Sequence, residues 1–222
     1  MRPFVFSSAA LAAALSFPGT LTGCDSGDGT GGSGGSGGTG GSGGDACQLE
    51  YVGDKDAPIE MEILTLDPSY AAHPFTAGGD ASILFPPQGG RVVFVGVRAK
   101  NLDPCAVRLA GALRDQATDQ VRIDTRTVNL DPTDDGWGTS DAGDISTFSN
   151  IPVCPNNWAA TDVFDQTFTL VLSVRDRDGK EAKTEIDLVP RCDEVSTVDG
   201  QDLQKECLCL CKQGYVTGEM CQ

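Results

Sequence analysis

Histidine is almost absent from this chain: His73 is the only one in 222 residues. A serine nucleophile usually needs a histidine or lysine base in reach, and G-x-S-x-G occurs only inside the glycine repeat between Gly31 and Gly44, without the strand and helix that an elbow needs, so a serine relay has little to stand on. His73 itself precedes Pro74 between Tyr70 and Phe75 and reads as a loop or partly packed residue. Positive charge is scarce as well, with 16 lysines and arginines against 32 acids and a net charge of −16. Binding phosphates needs a basic face, which excludes nucleic acid as a partner. The same charge keeps the chain off an anionic lipid surface and draws divalent cations. Long apolar runs are missing too. The longest, Phe4 to Phe17, is about 14 residues, short of the ~20 that a spanning helix needs. Beyond it no sustained 3.6-residue periodicity occurs, which argues against a helical body.

What is present begins at the N-terminus. Arg2 gives a short positive start, the apolar run follows, and Pro18-Gly19 breaks it just before Leu21, Thr22, Gly23 and Cys24. These features resemble the signal peptide and lipobox of bacterial lipoproteins. The resemblance implies removal of residues 1–23, a thioether diacylglycerol and an N-acyl chain on Cys24, and the membrane as a partner through that lipid. One chain anchors marginally at ~0.8 kcal/mol per buried methylene, and several hold firmly. The alternative is an ordinary secretory signal cut elsewhere, with Cys24 left as a thiol. The expected location is the cell envelope with outward display. Asp25 follows the cysteine directly, a residue that favours inner-membrane retention in enteric-type sorting, a rule other bacteria do not all follow.

Residues 24–46 are almost wholly glycine, serine, threonine and aspartate after the cysteine, with a GGS/GGT-like repeat between Gly31 and Gly44. Such a composition buries no apolar area and reads as a flexible spacer, with an average span of roughly 25 Å. A phosphate-cradling loop would need a preceding strand, a following helix and a lysine, none of which is there.

Eight cysteines follow Cys24: Cys47, Cys105, Cys154, Cys192, Cys207, Cys209, Cys211 and Cys221. An even count in an exported chain predicts disulfides, with the pairing left open. Cys207, Cys209 and Cys211 offer a rival metal site, but structural zinc usually takes cysteines two to four residues apart, often completed by histidine.

From Gln48 the pattern turns to short alternating segments. Ile59, Met61 and Ile63 alternate with Glu60 and Glu62; Val93, Val95 and Val97 alternate within Arg91 to Ala99; Val107, Leu109 and Leu113 follow. Then come Val121, Ile123 and Thr125, Phe168 to Val174 at every second position, and Ala182 to Leu188 likewise. Each is the signature of a half-buried strand. R-D-R-D-G-K at 175–180 joins the last two, with Asp178-Gly179 supplying turn residues. The expectation is an all-β fold, an antiparallel β-sandwich over 47–192, a span of about 150 residues that can sustain one core. The last hairpin resembles the end of bacterial immunoglobulin-like domains, which implies that architecture without fixing the topology.

Residues 193–222 form a separate cysteine-rich tail, too short to hold a core without staples or docking. Cys209, Leu210, Cys211, Lys212, Gln213, Gly214, Tyr215 and Cys221 resemble the second half of an EGF-like module. By that resemblance Cys211 pairs with Cys221 and Cys209 pairs upstream, although Cys207 is an extra cysteine and the full six-cysteine frame is missing.

The clearest small-ligand feature is the loop D-P-T-D-D-G-W-G-T-S-D-A-G-D, whose Asp131, Asp134, Asp135, Asp141 and Asp144 could hold calcium. Asp131, Asp135 and Gly136 fall at EF-hand positions one, five and six, but Ala142 stands where the bidentate glutamate belongs. A solvated acidic loop is the other reading. Trp137 and Trp158 lie in turn-rich stretches and either stack on a glycan or pack over the end of the body. No other cofactor is expected and no catalytic residue stands out. The functional expectation is a non-enzymatic envelope lipoprotein whose body binds a protein, glycan or ion, or is purely structural. The alternative is an extracytoplasmic hydrolase using loop carboxylates.

Overall fold

The computed structural model describes residues 47–198 and 200–221. Cys24, the segment 1–23 and the spacer 24–46 lie outside the described residues. The body carries β1 (Glu60–Leu66), β2 (Ala72–Phe75), β3 (Gly79–Leu84), β4 (Arg91–Lys100), β5 (Val107–Arg114) and β6 (Val121–Val128). Two short strands follow, β7 (Asp131–Pro132) and β8 (Gly138–Thr139), then β9 (Ser149–Cys154), β10 (Phe168–Arg175) and β11 (Glu181–Arg191). The tail adds a small hairpin, β12 (Thr197–Val198) and β13 (Gln201–Asp202), and one helix, α1 (Leu203–Cys211).

The β class matches the alternating pattern, but the sheet is not purely antiparallel. One curled mixed sheet runs β2-β1-β4-β3-β11-β10-β5-β6, with β8 and β9 also on β4. The parallel element is β3, whose Gly79–Ser82 lies alongside Leu188–Arg191 of β11 before Ile83 and Leu84 pair antiparallel with β4. The physical reason is that β3 serves both halves of the sheet in turn, so its direction can suit only one of them. Gly78 N–H fixes its entry by donating to the Asp187 carbonyl at 2.7 Å.

The main core joins both halves. Ile63 of β1, Val93, Val95 and Val97 of β4, and Ile151 and Val153 of β9 meet Leu109 and Leu113 of β5, Leu170, Leu172 and Val174 of β10, and Leu188 of β11. β4 is buried on its other face as well, where Val92 and Phe94 pack with Leu64, Leu66, Leu84 and Phe148 in a second cluster. Two buried faces explain its near-continuous V-V-F-V-G-V run. Gly96 makes the second cluster possible, because a Cβ there would stand 2.5 Å from Phe148 Cε1.

β6 is an edge strand with half-buried charges on its inward row, Arg122, Asp124 and Arg126. They close the flank against β9: Ser149 Oγ donates to the Asp124 carbonyl at 3.1 Å, and Asn150 N–H to Asp124 Oδ2 at 2.9 Å. Inward-pointing charge also deters another strand from adding there.

Candidate functional site

The tail is where sequence and structure differ most. L-Q-K-E-C-L-C-L-C is helical, started by Asp202, whose Oδ1 accepts from Lys205 N–H at 3.0 Å. On a helix, cysteines spaced by two fall on different faces. Cys207 and Cys211 turn into the core, and Cys209 turns away. The disulfides are Cys47–Cys105, Cys154–Cys211, Cys192–Cys207 and Cys209–Cys221. The EGF-derived pairing of Cys211 with Cys221 is therefore overturned: Cys221 takes the outward Cys209, and Cys211 staples the helix to the end of β9. The suspected trio of Cys207, Cys209 and Cys211 does not converge either. Sulfurs of Cys192, Cys207 and Cys211 lie within 4.8 Å of one another, all of them in disulfides.

A buried ionic knot adds to the staples. The Arg91 side chain, fully buried at the start of β4, donates from Nη1 to Glu194 Oε2 at 2.7 Å. Its Nη2 donates to the Leu203 carbonyl and to Glu206 Oε2, both at 2.5 Å. Glu194 also accepts from Phe85 N–H at 3.0 Å. The carbonyls at the helix end are used too, Leu210 by Asn156 N–H and Cys211 by Val163 N–H, both at 2.8 Å. Nothing local in the sequence marked Arg91 as buried, since both its acidic partners lie more than 100 residues further along the chain.

The five aspartates of the acidic loop separate into two groups. Asp131, Asp141 and Asp144 line one cavity of about 340 Å³ together with Thr127, Asn129 and Ser146. Asp141 Oδ1 accepts from Gly143 N–H at 2.8 Å and Asp144 Oδ1 from Ser146 N–H at 3.0 Å. Hydrogen bonds from Ser146 hold the Asp144 carboxyl below the usual range. Asp134 and Asp135 instead sit on the Trp137 turn. Asp135 accepts from Thr133 Oγ1 at 2.6 Å and pairs with Arg98, which together lower its carboxyl. Among the described residues no three carboxylates bring an oxygen each within 4.8 Å of one another.

The tryptophans divide as well. Trp158 is buried, its Nε1 donating to the Val153 carbonyl at 2.9 Å and its ring against Phe168. Trp137 is half-buried, with the Arg98 guanidinium carbon 4.4 Å and Lys100 Nζ 4.8 Å from the ring centre. Trp158 is thus a core residue, and Trp137 is stacked by two cations of β4.

His73 meets Asp67, Nε2 to Oδ2 at 2.8 Å, while Ser69 Oγ donates to the other carboxyl oxygen at 2.6 Å. Bonds from Ser69 first, then His73, hold Asp67 far below the usual carboxylate range. The order is serine, acid, histidine. A hydrolytic relay needs the base in the middle, where it can take the serine proton; here the acid separates the two.

No protein-family model, curated protein or solved structure matches this chain.

Proposed function

We propose that this chain is a bacterial envelope lipoprotein: Cys24 carries the lipid, the glycine tract is the tether, and the β body is displayed as a non-enzymatic binding or structural module. The observation that supports the reading is cysteine pairing. The four disulfides use eight of the nine cysteines, and the ninth is Cys24. A body with every cysteine paired suits an oxidising compartment, and the one cysteine left over stands at the lipobox. The placing of Asp67 between Ser69 and His73 leaves that cluster without a serine relay. The test is fractionation of cells expressing the wild type and Cys24→Ser. The wild type is expected in the membrane pellet and the variant in the soluble or secreted fraction. Equal partitioning of the two would overturn the anchor.

A further inference from the structure

The two long flanks of the body are unequal. One is closed by the contacts between β6 and β9 already described. On the other, β2 covers β1 only over Ile63–Leu66, and β3 covers β11 only over Leu188–Arg191. Glu60–Glu62 of β1 and Glu181–Ile186 of β11 therefore pair with a neighbour on one side alone, β4 and β10 respectively. Among the described residues no strand pairs with the other side of either stretch.

Both bare stretches face one cavity of about 470 Å³, with Met61 and Ile63 on one bank, Thr184 and Ile186 on the other, and Phe75 closing one end. The lining is chiefly apolar, and Met61, Phe75 and Ile186 are half-buried against the main core. The Asp187 carbonyl points away from β10, toward Gly78. In an antiparallel strand that direction repeats at every second residue, so the N–H and C=O of Glu185 and Lys183 also point outward.

The charge of the rim narrows the occupant. The outer row of β11 reads Glu181, Lys183, Glu185 and Asp187, with Glu62 on the opposite bank. Glu185 is already paired with Lys183 at 2.8 Å and with Arg114 at 3.4 Å, and Glu62 with Arg98 at 2.8 Å, which leaves Glu181 and Asp187 as the rim acids without an ion pair among the described residues, on a chain of net −16. A strand added at an edge gains affinity from its backbone and specificity from alternate side chains. Here one row of those side chains would enter the apolar cavity, and the other would lie beside the acids.

We propose that the gap between β1 and β11 binds an extended segment of a partner protein, which adds as a strand to the β11 edge and alternates apolar residues with lysine or arginine. This inference rests on the reading of the body as a binding module and is independent of the lipid on Cys24.

The test is fluorescence anisotropy with the mature chain in detergent micelles. Three labelled nonapeptides serve as probes: one alternating valine and lysine, one of the same composition in scrambled order, and one N-methylated at every second amide. The alternating peptide is expected to bind saturably, with the other two weaker by at least tenfold. Thr184→Arg, which fills the cavity, is expected to lose at least tenfold with an unchanged Tm, whereas Asp134→Asn keeps the wild-type affinity. Equal binding of all three peptides would reduce the effect to charge and overturn the proposal, as would no saturable binding. The peptide comparison uses the unmutated protein, so it decides even where a variant fails to fold. Neither result bears on the anchor, which membrane fractionation decides.

Discussion

Cys207 and Cys211 stand one helical turn apart with their sulfurs 3.8 Å from each other, each tied to a different part of the body. Cys207 reaches Cys192 at the end of β11, and Cys211 reaches Cys154 at the end of β9. One face of a nine-residue helix thereby holds the ends of two strands together.

The staples are expected to differ in weight. Cys154 and Cys211 are 57 residues apart and buried; Cys209 and Cys221 are 12 apart and half-exposed. Chain entropy gives about 4 kcal/mol for the first and about 3 kcal/mol for the second, and the buried pair also loses packing when its sulfurs are removed. Urea denaturation of the paired Cys→Ala variants is expected to show the larger loss for Cys154/Cys211. The reverse order would mean that the tail does not clamp the body.

Arg91→Met is expected to cost about 3 to 5 kcal/mol, because it leaves the buried Glu194 and the partly buried Glu206 without their cation. Adding Glu194→Gln and Glu206→Gln to the same chain is expected to recover much of the loss. Failure of the triple variant to regain stability in a denaturant titration would assign the cost to packing instead of charge.

Gly96→Val places a Cβ against Phe148 and is expected to destabilise by about 1 to 3 kcal/mol, read as a fall in Tm. Pairing it with Phe148→Ala should give a loss smaller than the sum of the two single changes, since the second removes the clash made by the first.

Asp67 gives the chain part of its acid sensitivity. Its folded pKa lies below the unfolded value, so its contribution is complete above the unfolded pKa of about 3.9 and is lost as pH falls through the folded one. Solvent screens this partly exposed group, so the loss expected for Asp67→Asn at pH 6 is only about 1 kcal/mol. The difference between wild type and variant should shrink below about pH 4. A difference constant from pH 6 to pH 3 would contradict the assignment.

The parts of the fold legible in the sequence are those whose burial is one-sided. β5, β10 and β11 alternate, because one row meets the core and the other meets solvent, and the alternating valines of β4 mark it even though both its faces are buried; β6 alternates in the opposite sense to the one expected, with Val121 and Ile123 exposed and Arg122, Asp124 and Arg126 turned inward. β9 was hidden by Pro152 in S-N-I-P-V-C, which removes a ladder donor and is tolerated beside the register shift at Arg91/Val92. β3 changes partner midway, and no local pattern encodes that. In the tail, the nine residues of α1 are too few to show a sustained 3.6-residue period, and the resemblance to an EGF-like half-module hid a helix that turns Cys207 and Cys211 to the core. The acidic loop shows the limit for sites: composition gathered five aspartates within fourteen residues, but the cation stack of Arg98 and Lys100 on Trp137 draws that turn toward β4 and away from the other three.

The most direct test of the central claim is intact and peptide mass spectrometry of the mature protein without reduction. The account predicts an N-terminal Cys24 carrying diacylglycerol and an acyl chain, with Cys47–Cys105, Cys154–Cys211, Cys192–Cys207 and Cys209–Cys221 recovered as linked peptides. An unmodified thiol at Cys24, or free thiols among the other eight, would contradict it.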